Sequence, residues 1–101
     1  MIKHIVWWTL KPEADGRSAA ENARRIKEMG EALAGKIPGL LSIEISTVIK
    51  ESSSMAAAVA LQSAHHTVKE LQEYAVHPLH LALVDVIKVC TDGRQCLDYE
   101  I

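Results

Sequence analysis

Tyr74-Ala75-Val76-His77-Pro78-Leu79-His80 is the stretch on which the fold turns. Pro78 fixes its own φ and pushes His77 out of the α region, so a helix has to stop before it. Proline also suits the first turn of a helix, so a second helix starts at Pro78. The result is a helix–break–helix corner with Tyr74 on one side and His80 on the other. Histidine titrates near neutral pH, which suits a general acid or base. A Tyr and two His at a corner serve equally well as polar-tipped packing residues with satisfied hydrogen bonds, and the residues alone leave both readings open.

On the N-terminal side of the corner, Thr67 opens a short helix. Val68, Leu71 and Tyr74 share one face, and Lys69, Glu70 and Glu73 are exposed. On the C-terminal side, 79–90 is almost wholly apolar, broken only by His80, Asp85 and Lys88. The β-branched run 84–89 suits helix or strand, and the proline start and the length favour helix. Asp92-Gly93 is expected to be a turn. Residues 95–101 then alternate, with Leu97, Tyr99 and Ile101 opposite Cys96, Asp98 and Glu100.

At the other end of the chain, 2–10 also alternates. Ile2, His4, Val6, Trp8 and Leu10 point one way, and Lys3, Ile5, Trp7 and Thr9 the other. Both faces carry large apolar groups, which marks a central strand covered on both sides. Lys11 to Arg17 is a polar loop with turns at Pro12 and Gly16. Ser18 and Glu21 have capping-box spacing. Ala19, Ala23, Ile26, Gly30 and Leu33 form the core stripe of the helix that follows, and Gly35 is its expected terminator. Ile37-Pro38-Gly39 turns into a second strand, about 40–49. Its Leu41, Ile43, Ile45, Thr47 and Ile49 lie opposite Ser42, Glu44 and Ser46. Lys50 to Ser54 reads as a hairpin loop. Met55 to Leu61 is ambiguous, because three successive alanines are poor strand formers and fit a helix as well.

His-Pro-x-His preceded by a Tyr, after an N-terminal Ile2-Lys3-His4-Ile5-Val6 and an Ile37-Pro38-Gly39, resembles the stress-responsive α/β-barrel (Dabb) family. The resemblance runs from Met1 to Ile101, including the closing Asp98-Tyr99-Glu100. It implies a strand at 55–61. The order is then βαββ, a helical pair and β, an α+β ferredoxin-like plan with an antiparallel four-stranded sheet and helices on one face. Helices cover one sheet face, yet the first strand is apolar on both, and an uncovered patch of that size is unusual in a monomer. A second copy packed sheet against sheet, closing an α/β barrel, is the expected homodimer, and the resemblance implies the same dimer.

The resemblance also assigns roles. In a plant polyketide cyclase of this family, which closes a linear polyketide by an intramolecular aldol-type condensation, the catalytic pair corresponds to Tyr74 and His80. A supporting pocket histidine corresponds to His4. With Val6, Trp8 and His77, His4 makes up the expected substrate-binding set; His77 matches the first, structural His of the motif. No metal or organic cofactor is implied. Two departures from the family pattern, the small Ala56-Ala57-Ala58 and His65 where a large apolar residue is common, bear on the pocket's shape. The function expected is a homodimer binding a small apolar or phenolic molecule between sheet and helices. The alternative is a cofactor-independent cyclase or lyase using His80 and Tyr74.

Other classes fit poorly. A length of 101 residues makes one domain, and a net charge of −2 with no basic cluster leaves no nucleic-acid footprint. No apolar run is long enough to span a membrane, and Lys3, His4 and Lys11 interrupt anything like a signal peptide. Cys90 and Cys96 form no zinc-type motif and read as free thiols of a cytoplasmic protein. His65, His66, His77 and His80 could in principle gather a zinc or nickel ion. No carboxylate or thiol stands at ligand spacing beside them, so no metal site is expected.

Overall fold

A computed structural model describes all residues, Met1 to Ile101. Its elements are β1 (Ile2–Leu10), β2 (Glu13–Ala14), β3 (Arg17–Ser18), α1 (Ala19–Glu31), β4 (Ser42–Ser46), β5 (Val59–His65), α2 (Val68–Val76), α3 (Pro78–Cys90) and β6 (Thr91–Glu100). The sheet runs β4-β5-β1-β6 with every neighbour antiparallel, and the helices lie across one face. This is the expected ferredoxin-like α+β plan. The core gathers Val6 and Trp8 from β1, Val59 and Leu61 from β5, Ile26 from α1, Tyr74 from α2, and Leu83, Ile87 and Cys90 from α3.

Local chemistry explains most boundaries. Ser18 caps α1, accepting from the Glu21 amide at 3.2 Å, while the Glu21 carboxylate accepts from the Ser18 amide at 3.3 Å. The helix stops at Glu31, and tighter turns carry the chain to Gly35 in the left-handed region, so Gly35 ends the turns rather than the helix itself. Gly30 lets α1 settle on the sheet, since a Cβ there would meet Ile45 and Leu83. Lys27 reaches over the same edge and donates to the Ile45 carbonyl at 2.6 Å. Asn22, which lies outside the expected apolar stripe, is fully buried, and its Nδ2 donates to the carbonyls of Ala14 and Arg17.

Four expectations need correcting. The loop 11–17 contains a small hairpin, β2–β3, because Asp15 and Gly16 both take positive φ and build a tight two-residue turn. The second strand is shorter than 40–49. It runs only from Ser42 to Ser46, and its last pair with β5 is Ser46 with Ala60. The third strand is displaced from 55–61 to Val59–His65, so the alanines 56–58 precede it and Lys50–Ser54 is only part of a longer connection. Asp92-Gly93 is not a turn but lies within β6, at an irregularity opposite Thr9. A Cβ at Gly93 would sit 2.6 Å from Thr9 Oγ1, so glycine permits the close approach there.

Candidate functional site

β1 forms the floor of the site. Its alternation turns His4, Val6 and Trp8 toward the helices, and antiparallel pairing sets Asp98 opposite His4, Cys96 opposite Val6 and Arg94 opposite Trp8. The α2–α3 corner forms the roof. Between them lies a cavity of about 550 Å³, walled by those side chains and by Leu61, Leu71, Tyr74, Ala75, His80, Leu83 and Ile87, with Lys88 and Thr91 among the remaining lining residues. That volume suits a small organic ligand, and the walls are mostly apolar with a few convergent polar groups.

The corner positions its histidines differently. His77 has an extended backbone, and its Nδ1 accepts from the Leu79 amide at 3.1 Å, which caps α3. It does not line the cavity, so this member of the expected substrate-binding set sits apart from the other five candidates. His80 Nδ1 lies 3.0 Å from the Ala75 carbonyl, which can only accept. Nδ1 therefore carries the proton, and Nε2 keeps a lone pair in the neutral ring. Burial pushes the His80 pKa down, partly countered by that carbonyl. Neutral His80 is thus the prevailing form at pH 7.

Tyr74 packs on His80, with ring centroids 4.2 Å apart, and on His65 at 4.9 Å. Burial pushes its phenol up to about 12, so it stays protonated. Its hydroxyl and the Trp8 indole nitrogen are both shut off from solvent without a protein partner. His65 is itself fully buried: Nδ1 donates to the Gly39 carbonyl at 3.2 Å, Nε2 accepts from the Ser63 hydroxyl at 3.0 Å, and desolvation lowers its pKa. It is a wedge under Tyr74. His66 lies outside, 3.5 Å from Glu70.

On the floor, His4 Nδ1 donates to Asp98 Oδ1 at 2.5 Å. The carboxylate fixes ring orientation and tautomer, as in many working histidines. Cys96 Sγ stands 3.6 Å from His4 Nδ1 and 3.7 Å from Asp98 Oδ1, and burial with the Asp98 charge raises its pKa. Asp98 and Cys96 are absent from the candidates named on sequence, because more than ninety residues separate them from His4. The available signal was the alternation that puts both on one face of the last strand.

A sequence profile of the stress responsive A/B barrel domain matches residues 2–101. The chain belongs to the Dabb family. Known structures agree with this Dabb fold. A dimeric ferredoxin-like protein of unknown function from Bacteroides fragilis superposes with a TM-score of 0.85 at 28% identity, covering 99% of this chain and 95% of that one. A Dabb family protein from Mesorhizobium loti gives 0.75 at 20% identity, with 99% and 95% covered. A hydroxynitrile lyase from Passiflora edulis gives 0.79 at 17% identity, with 99% and 92% covered. No curated protein sequence matches the chain. Dimeric relatives of this kind support a homodimer. No helix is long and apolar enough to cross a membrane.

Proposed function

We propose that this Dabb chain is a homodimeric, cytoplasmic binder of a small, mostly apolar molecule carrying a carbonyl or phenolic oxygen, held between sheet and helices. The observation that carries the reading is the cavity of about 550 Å³, in which aliphatic walls surround two oriented imidazoles, His4 and His80. Val6 and Trp8 supply apolar contact on the floor. The dimer forms through the open sheet face, where Ile5 and Trp7 of β1 neighbour Leu97 and Tyr99 of β6, the last two exposed by 53% and 39%. Two unpaired thiols, Cys90 and Cys96, fit a reducing compartment.

A second reading, catalysis, is favoured by one feature: His80 is held as a single tautomer with its basic nitrogen unengaged and its pKa lowered. A neutral His80 can take a proton from a carbon alpha to a carbonyl, becoming imidazolium while the substrate becomes an enolate. Tyr74, kept as a neutral phenol, donates to the developing oxyanion once a ligand opens its buried hydroxyl, and His4 orients the substrate. This is cofactor-independent aldol-type chemistry, and the lyase from Passiflora edulis is an enzyme of the same fold.

The test is a panel of β-polyketones and phenols titrated into the protein, read by the fluorescence of Trp8 in the wall and then by product formation. Binding to wild type that is lost in His80→Ala supports the pocket, and turnover lost in the same variant supports catalysis. Ligands that bind wild type and His80→Ala equally well would remove His80 from the site.

A further inference from the structure

We propose that His4, Cys96 and Asp98 form a divalent-metal site of the zinc type on the floor of the cavity. The register places His4 directly opposite Asp98 and sets Cys96 two residues away on the same face, so three donors of three kinds meet on two rigid strands. Their ligating atoms lie within 4.8 Å of one another. Ordinary zinc bond lengths in a tetrahedron put sulfur about 3.6 Å from each of the other donors, and nitrogen about 3.4 Å from oxygen. The sulfur edges here are 3.6 and 3.7 Å, and the His4–Asp98 edge is 2.5 Å. Two edges already match. The third is shorter than the zinc value, so an ion enters only as the Asp98 carboxylate swings away from His4 Nδ1.

The charge and proton balance closes. The His4 proton moves from Nδ1 to Nε2, Cys96 releases its thiol proton to solvent, and thiolate and carboxylate together neutralise the dication. Thiolate and imidazole select zinc or cobalt over magnesium or calcium. Three protein ligands leave a fourth position for water or a ligand oxygen, the pattern of reactive rather than structural zinc. The site shares His4 with the binding role proposed above and leaves the roles of His80 and Tyr74 unchanged. Its members come from opposite ends of the chain and meet only through the β1–β6 register.

The experiment uses the untagged full chain, stripped of metal and titrated with Co²⁺. The expected result is a near-ultraviolet thiolate-to-cobalt band with visible bands of a tetrahedral ion, saturating at one ion per chain and erased by Zn²⁺. Cys96→Ser abolishes the thiolate band, and Cys96→Ala stands in where the serine variant does not fold. Asp98→Asn and His4→Gln weaken binding by more than about tenfold. His66→Ala, at an exposed histidine, changes nothing. The proposal is overturned if wild type gives no thiolate band, if the band survives loss of the Cys96 sulfur, or if the loss follows His66→Ala instead.

Discussion

Tyr74→Phe removes one oxygen atom and should make the protein more stable. Tyr74 is 1% exposed, and its hydroxyl meets no protein donor or acceptor. In the unfolded chain that hydroxyl is bonded to water, so folding strips it of partners at a cost of about 1–3 kcal/mol. Phenylalanine keeps the ring contacts to His80 at 4.2 Å and His65 at 4.9 Å. The space vacated by one oxygen returns only a few tenths of a kcal/mol as a packing defect. The net gain is about 1 kcal/mol or more, which for a domain of this size raises Tm by roughly 4–8 °C per kcal/mol. The assay is urea and thermal denaturation of both proteins at one fixed concentration, because dimerisation makes Tm depend on concentration. An unchanged urea m value shows that the denatured state is the same. If Tyr74→Phe instead lost about 0.5 kcal/mol or more, the hydroxyl would have to be bonded in the folded protein, and the reasoning would fail. Weaker ligand binding in the stabilised variant would mark Tyr74 as held for function at the expense of stability.

Three further outcomes follow from the geometry. Burial holds His65 and His80 below the ordinary histidine value, so the unfolded chain binds more protons near that value. Stability is then complete above about pH 6.5 and falls as the pH drops below it, which urea titrations at about pH 7.5 and about pH 5 would reveal. Trp7→Asp puts a charge on the open sheet face and should convert the dimer to monomer in size-exclusion chromatography with light scattering, whereas an unchanged mass would place the interface elsewhere. Ser18→Ala deletes the side-chain half of the α1 capping box, leaves the backbone amide bonded to Glu21, and should cost about 1 kcal/mol in urea denaturation with no effect on ligand binding.

The fold was legible where one local rule acts without a rival. Pro78 marked the α2–α3 corner, Ser18 and Glu21 marked the start of α1, and two-sided apolarity marked β1 as central. Misplaced boundaries lie where pairing outvotes local preference. Val59–His65 extends past the expected strand because β1 supplies partners as far as His65, and the alanines 56–58 fall outside it. At the site, Tyr74 and His80 were visible because seven residues encode their proximity. Asp98 and Cys96 were not, because only the antiparallel register brings them to His4. The buried Asn22 was invisible for a related reason: its carbonyl partners belong to a hairpin that the sequence presented as a loop.

The Lys27 side chain has a consequence for how copies of this protein meet. A sheet edge invites another strand to join it, and repeated joining leads to fibres. At the β4 edge the strand is only five residues long, and the Lys27 ammonium occupies the Ile45 carbonyl. At the far edge β6 bristles with Asp92, Arg94, Asp98 and Glu100. Strand-to-strand growth is blunted at both margins, while the apolar flat of the sheet stays available. For the sheet-face dimer proposed above, association is thereby steered toward a closed pair, and a sheet face left open until its partner arrives is spared open-ended aggregation in the meantime.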